Sequence, residues 1–338
     1  MEPPQKPLAY EESSQYRHWH FSPAELYEIR QSSNEAAIKR VRRNLDEEKK
    51  AAYSTSSPED KEPDFLTADE QVKLCRYYEE QIQAICPHLK LSDMVMATAI
   101  IYMKRFFLRN TMMDYHPKDI LVTCLFMATK SESERISIDD FGKNLQLPST
   151  DRVLALEFPV SQGLQFEYMV HHPYRAAYGY FLDIQHAGDP VDMELLQATY
   201  GQVNGVIKKI LLTDLPFIYQ PSQLAVAAFI IAGKHNGFDV RIKRYLEQRL
   251  DKELADTLYT MTILIDETLL ENTSVSRTVA TDIDARLRLC MNPAKNPESA
   301  LYKKRKADKE SGEHLQNRKR AKVDPDDDDD DDDDSPFE

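Results

Sequence analysis

Residues able to do chemistry are plentiful in this chain, but their spacing assembles no catalytic or metal-binding set. The four cysteines, Cys75, Cys86, Cys124 and Cys290, form no CxxC pair, so neither a thiolate zinc site nor a redox dithiol is implied. This is the pattern of a reducing compartment, without a disulfide framework. His18 and His20 have no third ligand nearby and read as structural. His171 and His172 precede Pro173 and read as a helix cap rather than ligands. No HExxH, GxSxG, GxxxxGK[ST] or Ser/His/Asp arrangement occurs. With 57 acidic residues, carboxylate pairs are too common to carry a signal. No cofactor and no metal are expected, and binding or regulation is favoured over catalysis.

Two basic clusters near the end carry a clearer meaning. Lys303, Lys304, Arg305 and Lys306 form one; Arg318, Lys319, Arg320 and Lys322 form the other. Two such clusters separated by 11 residues read as a bipartite nuclear localisation signal. Ten of the chain's negative charges lie beyond them, in Asp324 and Asp326 to Asp334. The net charge of −14 is therefore mostly a property of the tail. The remainder is only mildly acidic, and nothing marks it as a nucleic-acid binder. No apolar run is long enough for a membrane helix and no signal peptide opens the chain.

The elements that carry these residues are organised around a repeat. YHPKDILVTCLFMATK, Tyr115 to Lys130, recurs as YQPSQLAVAAFIIAGK, Tyr219 to Lys234, at an offset of 104 residues. Proline suits the first turn of a helix, and the lysine in the last turn complements the dipole. Between them the copies are apolar on every face, so each must be buried all round. With only 9 glycines in 338 residues, phosphate-cradling loops and hairpin-rich sheets are disfavoured. The class is all-α, with one central helix in each of two domains.

Taken in order, residues 1–63 form an N-terminal segment with one helix and a charged linker. Ser22, Pro23 and Glu25 write a capping box for that helix, and Trp19 just before it is a packing anchor. Residues 46–63 read as linker, charged and serine-rich. The first domain spans 64–172 and the second 173–276, each with five helices and the repeated one third. In the first domain the fifth helix is expected to run from about Ser149 towards Val170, with Pro159 inside it. A further helix covers 277–291, and 292–338 is a tail disordered by composition.

At this point the residues resemble a known family. The run MATAIIYMKRFFLRNTMMDYHPKDILVTCLFMATKSE, together with SSQYRHWHFS, VHHPYR and LLTDLPFIYQPSQLAVAA, is similar to the cyclin family. The likeness is to the transcriptional cyclin of the CDK-activating kinase within TFIIH, covers roughly Ser13 to Met291, and has a fungal look. It implies two tandem five-helix cyclin boxes with additional N- and C-terminal helices. It also implies a regulatory subunit, not an enzyme, that activates a cyclin-dependent kinase and works in the nucleus. The kinase would phosphorylate other kinases' activation loops and the RNA polymerase II C-terminal repeats. A RING-finger assembly factor and the TFIIH core are the further implied partners; nucleic acid and membrane are not. The family's kinase-interface residues fall on Lys130 and Glu157, with Phe166 and Tyr168 at the end of the fifth helix. Ser161 stands where many relatives have an apolar interface residue. A different transcriptional cyclin, or a cyclin-fold factor of the TFIIB kind, is the alternative. The latter expects an N-terminal zinc ribbon, and no cysteine precedes Cys75.

Overall fold

The computed structural model describes residues 10–51, 63–187 and 190–309, and among them there is helix and no strand. None of these helices is long and apolar enough to cross a membrane. The chain divides into two units, Met1–Ile38 with Pro63–Met291, and Lys39–Glu62 with Asn292–Glu338. The second cluster of the nuclear localisation signal and the aspartate run lie outside the described residues.

In the first unit, α1 (Ser14–Trp19) and the start of α2 (Pro23–Ala51) precede a five-helix set, α3 (Ala68–His88), α4 (Asp93–Arg109), α5 (Pro117–Ser131), α6 (Ile138–Asn144) and α7 (Asp151–Gly163). A second set follows: α8 (Pro173–His186), α9 (Met193–Leu211), the four-residue α10 (Leu215–Ile218), α11 (Pro221–Asn236), α12 (Asp239–Arg249) and α13 (Lys252–Glu271). Then comes α14 (Arg277–Leu289). The repeated helices are α5 and α11, and each is the buried centre of its set. Ile120, Leu121, Cys124, Leu125, Phe126, Met127 and Ala128 are all buried, as is every residue from Leu224 to Gly233. That burial follows from having no polar face to turn outward.

Local sequence sets the helix starts. Ser22 Oγ accepts the Glu25 N–H at 3.2 Å while the Glu25 carboxylate accepts the Ser22 N–H at 2.8 Å. Thr67 and Glu70 repeat this reciprocal cap on α3. Ends are closed with few glycines. Lys90, Gln146 and Gln165 take positive φ after α3, α6 and α7, each inside a pair of backbone bonds that satisfies the last carbonyls.

Trp19, Leu26, Leu108 and Phe217 form one buried cluster. It joins the N-terminal segment to α4 and to α10. Arg30 on α2 reinforces the joint with two bonds of 2.7 Å to Asp214. On α3 and α4, Glu79 and Lys104 pair at 2.7 Å with both side chains buried. α14 returns to the first set, where Arg286 donates to Asp64 and to Glu70.

Five expectations are corrected. The second set holds six helices rather than five, because the four-residue α10 stands before α11, which is therefore fourth rather than third. α1 was not anticipated. α2 does not give way at residue 46 but continues to Ala51, because Asp46 to Lys50 are helix formers with a tertiary partner. α7 runs through Pro159 and stops at Gly163, well short of Val170. The proline leaves the Ala155 carbonyl without a donor, but Ala155 is exposed and water can serve it. At the stop, a Cβ on Gly163 would lie 2.5 Å from the Phe106 ring, so glycine allows α7 to close on α4. The tail from Asn292 is not structureless throughout. It begins with a 3-10 turn, Pro293–Lys295, followed by helix α15 over 300–309.

The second unit is built from the end of α2 and this C-terminal stretch. Glu48 accepts the Ala300 and Leu301 N–H groups at 2.9 and 2.6 Å. Arg305 donates to Glu47 at 2.6 Å and to Asn44 at 3.0 Å.

Candidate functional site

Lys130 lies in the last turn of α5 and Glu157 in the middle of α7. The structure brings them together as an ion pair at the surface. The Lys130 ammonium also sits 4.7 Å from the centre of the Phe126 ring, a cation–π contact that fixes the side chain's course. Both groups keep solvent access, with side-chain exposures of 46% and 28%. Such a pair contributes little to stability but presents one donor and one acceptor in a defined place. Ser161, in the next turn, is buried and donates its hydroxyl to the Glu157 carbonyl at 2.7 Å. It faces into the helix and is satisfied there.

Phe166 and Tyr168 do not lie on the fifth helix, as expected from sequence, but after it. Gln165 and Phe166 both take positive φ, and the Phe166 N–H donates to the Ser161 carbonyl at 2.8 Å. This closure throws the Phe166 ring outward, to 55% exposure, beside the equally exposed Phe158 at a centroid distance of 6.2 Å. Tyr168 sits in extended chain, where its carbonyl accepts the Tyr102 hydroxyl at 2.5 Å. Leu154, Phe158, Phe166, Tyr168 and Met169 thus form an exposed apolar ridge beside the ion pair. Leu154 and Phe158 share a face of α7 at i, i+4, but nothing in the sequence marked that face as exposed. Met169 carried no periodic signal.

Beside the ridge lies a groove of about 930 Å³, lined by Lys130, Glu157, Tyr168, Met169, His171 and Arg175 among others. Its floor is the linker between the two helical sets, and the N-terminal segment holds that linker. The Gln15 side chain accepts the His171 N–H at 2.7 Å and donates to the His171 carbonyl at 3.2 Å. Trp19 Nε1 donates to the Glu167 carboxylate at 2.6 Å, and His18 meets the other oxygen at 2.5 Å. Arg105 donates to the Glu167 carbonyl at 3.1 Å and lies 4.8 Å from the Trp19 ring centre. Burial pushes this guanidinium down to about 10.

His18 is therefore a partner of Glu167 rather than of His20, whose ring rests on Tyr16. His172 occupies the cap position of α8, but its side chain does not cap it. The ring is buried and bonds Thr98 Oγ1 at 2.7 Å, which in turn donates to Glu132 at 2.6 Å. Burial, with Arg105 and His171 nearby, pushes the His172 imidazole down to about 3. Lys234, the counterpart of Lys130 in the second set, is exposed and makes no ion pair with a described residue. Lys303 to Lys306 lie on α15.

Two tandem sets of helices around buried α5 and α11, with an asymmetric polar and apolar face on the first, define a class, and comparison with known proteins agrees. Residues 44–168 match the family described as cyclin, N-terminal domain, and residues 172–281 that described as cyclin C-terminal domain. The chain belongs to the cyclin family.

Its relatives narrow the branch. It is 33% identical to the cyclin mcs2 of Schizosaccharomyces pombe over 302 residues, 89% of this chain and 91% of that one. It is 35% identical to the cyclin CCL1 of Saccharomyces cerevisiae, over 71% of this chain and 61% of that one. Among solved structures, a chain of the CAK complex of Chaetomium thermophilum bound to ATP-gamma-S superimposes with a TM-score of 0.75 at 27% identity, covering 96% of this chain and 97% of that chain. A chain of the yeast TFIIK complex of Kin28, Ccl1 and Tfb3 gives 0.62 at 31% identity, over 77% of this chain and all of that one.

Proposed function

We propose that this chain is the regulatory cyclin of a CDK-activating kinase of the TFIIH type. It binds a cyclin-dependent kinase through Lys130, Glu157, Phe166 and Tyr168, together with Phe158 and Met169. The observation that carries this reading is the ion pair set at the edge of an exposed apolar ridge. The chain that carries it aligns nearly end to end with one in a CAK complex.

The physical roles divide cleanly. The apolar ridge, rigid and already exposed, supplies most of the binding energy when a kinase helix covers it. Lys130 and Glu157 set register. A lysine ammonium can bond the free carbonyls at a helix end, and a carboxylate can accept free N–H groups. Docking holds the kinase's regulatory helix inward, which completes the lysine–glutamate pair of its active site and releases the activation loop. The cyclin contributes no reacting group; all catalytic groups belong to the kinase.

The substrates in this reading are activation loops of other kinases and the polymerase II C-terminal repeats. The third partner is a RING-finger assembly factor, the counterpart of Tfb3, and the complex docks on the TFIIH core in the nucleus. Lys303 to Lys306 and Arg318 to Lys322 direct import. The deciding experiment is kinase activity of the purified CDK-activating kinase subunit, alone and with this protein. Stimulation with a stable one-to-one complex is expected. A well-folded protein that neither binds nor stimulates that kinase sinks the assignment and leaves a different kinase of the transcriptional group to be found.

A further inference from the structure

The first of the two basic clusters is folded. Lys303, Lys304, Arg305 and Lys306 are consecutive residues of α15. Successive side chains leave an α-helix about 100° apart, so these four cations point in four different directions. An extended chain would instead set them alternately on two sides. One acidic groove can meet successive cations of an extended chain, but not those of this helix. Arg305 is moreover turned towards α2, donating to Glu47 at 2.6 Å and to Asn44 at 3.0 Å. Lys303 lies 3.7 Å from Glu298, and Lys306 is engaged as well.

The end of α2 holds this helix in place. The Glu48 carboxylate accepts the Ala300 and Leu301 N–H groups, one on each oxygen, at 2.9 and 2.6 Å. An anion so placed satisfies free donors at a helix start and complements the dipole. Leu301 itself is only 4% exposed. Asn44, which accepts from Arg305, donates to Asn292 in a buried bond of 2.9 Å. Ser299 Oγ donates to the Pro293 carbonyl at 2.6 Å and accepts the Tyr302 N–H at 3.0 Å, which fixes the turn leading into α15. The described length of α15, 300–309, falls short of the roughly 12–15 residues at which an isolated helix becomes even marginal in water. Its helical form therefore depends on α2, and loosening Glu47 and Glu48 lets this stretch extend.

We propose that the end of α2 is a latch over the chain's own import signal. While Glu47 and Glu48 hold α15, the first cluster is withheld from an import receptor. Release of α15 presents it and completes the two-part signal with Arg318, Lys319, Arg320 and Lys322. This inference rests on the reading of the two clusters as an import signal. The partner is a receptor with an acidic groove that takes an extended basic chain. Its apparent affinity for the two-part signal falls in proportion to the released fraction. The latch thus sets the strength of import without any change in the basic residues.

The test uses the full chain and the purified import receptor for basic signals. Two variants release α15 by different routes. Glu47→Ala with Glu48→Ala removes the cap and a partner of Arg305; Leu301→Gln spoils the buried contact and leaves the charge unchanged. In each, amide exchange at residues 300–305 should quicken, and the receptor should bind about tenfold or more tighter than to the parent. Replacing Lys303, Lys304 and Lys306 by Ala in either released variant should cancel that gain. Parent-like affinity in Leu301→Gln overturns the proposal, since any gain in the other variant would then be one of charge alone. So do unchanged exchange in both variants and a gain that survives loss of the first cluster. If neither the parent nor the released variants bind the receptor at all, the import reading itself falls, whereas equal binding by all three removes only the latch.

Discussion

The Lys130 ammonium lies against the Glu157 carboxylate, bridging the end of α5 to the middle of α7, and rests 4.7 Å from the centre of the Phe126 ring. Both groups are solvated, so the pair itself adds no more than about 1 kcal/mol to folding. Its place beside the apolar ridge gives it consequence. The double variant Lys130→Ala, Glu157→Ala is expected to unfold within a few degrees of the parent, yet to bind the kinase about 10- to 100-fold more weakly. Calorimetry of the free protein and a binding isotherm with the kinase separate the two. Parent-like affinity would remove these residues from the interface.

Phe158, Phe166 and Met169 make a second, independent test. Their exposures of 63%, 55% and 70% mean that truncation to Ala removes little buried area. Each change should move stability by only about 0.5 kcal/mol. Loss of an anchor from a desolvated interface costs about 1–3 kcal/mol, so kinase affinity should fall about tenfold or more per residue. Phe158→Ala and Phe166→Ala together should be non-additive, because the rings touch. A surface plasmon resonance series against the kinase reads this directly.

Much of this architecture could be read from residues alone, for physical reasons. α5 and α11 announce themselves because an all-round apolar helix has only one place to go. Ser22–Glu25 and Thr67–Glu70 mark starts through chemistry confined to three residues. What stayed hidden depends on contacts distant in sequence. α1 has six residues and no periodic face; it is held by Gln15 on His171. The continuation of α2 to Ala51 looks like a linker until Glu47 and Glu48 are seen to hold α15. The end of α7 is closed by Gln165 in the left-handed region, a position usually signalled by glycine, so Phe166 and Tyr168 were expected on the helix. Lys130 and Glu157 gained their meaning from family likeness, since a lysine in a last turn otherwise reads as dipole compensation.

Trp19 is the test of the N-terminal strap. Its ring is 1% exposed, packs with Leu26, Leu108 and Phe217, and donates to Glu167. Trp19→Ala should cost about 3–5 kcal/mol, with a large drop in the denaturant midpoint. Gln15→Ala removes the two bonds to His171 and the bond that Gln15 accepts from Arg105 at 3.4 Å, and should cost about 1–3 kcal/mol. Because those bonds fix the linker that carries Tyr168 and Met169, Gln15→Ala should also speed hydrogen exchange of residues 167–171. Unchanged protection there would show that the contacts of Trp19, His18, Arg105 and Tyr102 with residues 167 and 168 hold the linker without Gln15.

His172 gives the fold a pH dependence whose sign follows from burial. In the unfolded chain the imidazole titrates near 6.5; in the native state burial pushes it down to about 3. Between these values the unfolded state binds a proton that the native state refuses. Stability contributed by the neutral ring is therefore complete above about pH 6.5 and is lost as pH falls towards 3. Each unit of pH in that window costs up to about 1.4 kcal/mol, so the change from pH 6.5 to pH 5 removes roughly 2 kcal/mol. His172→Gln keeps a group able to bond Thr98 and cannot titrate. It should lower stability at pH 7.5 through imperfect packing, yet flatten the slope between pH 6.5 and 5 relative to the parent. Urea midpoints at half-unit pH intervals provide the measurement. Parallel curves for the two proteins would mean that the ring is reached by water and titrates alike in both states.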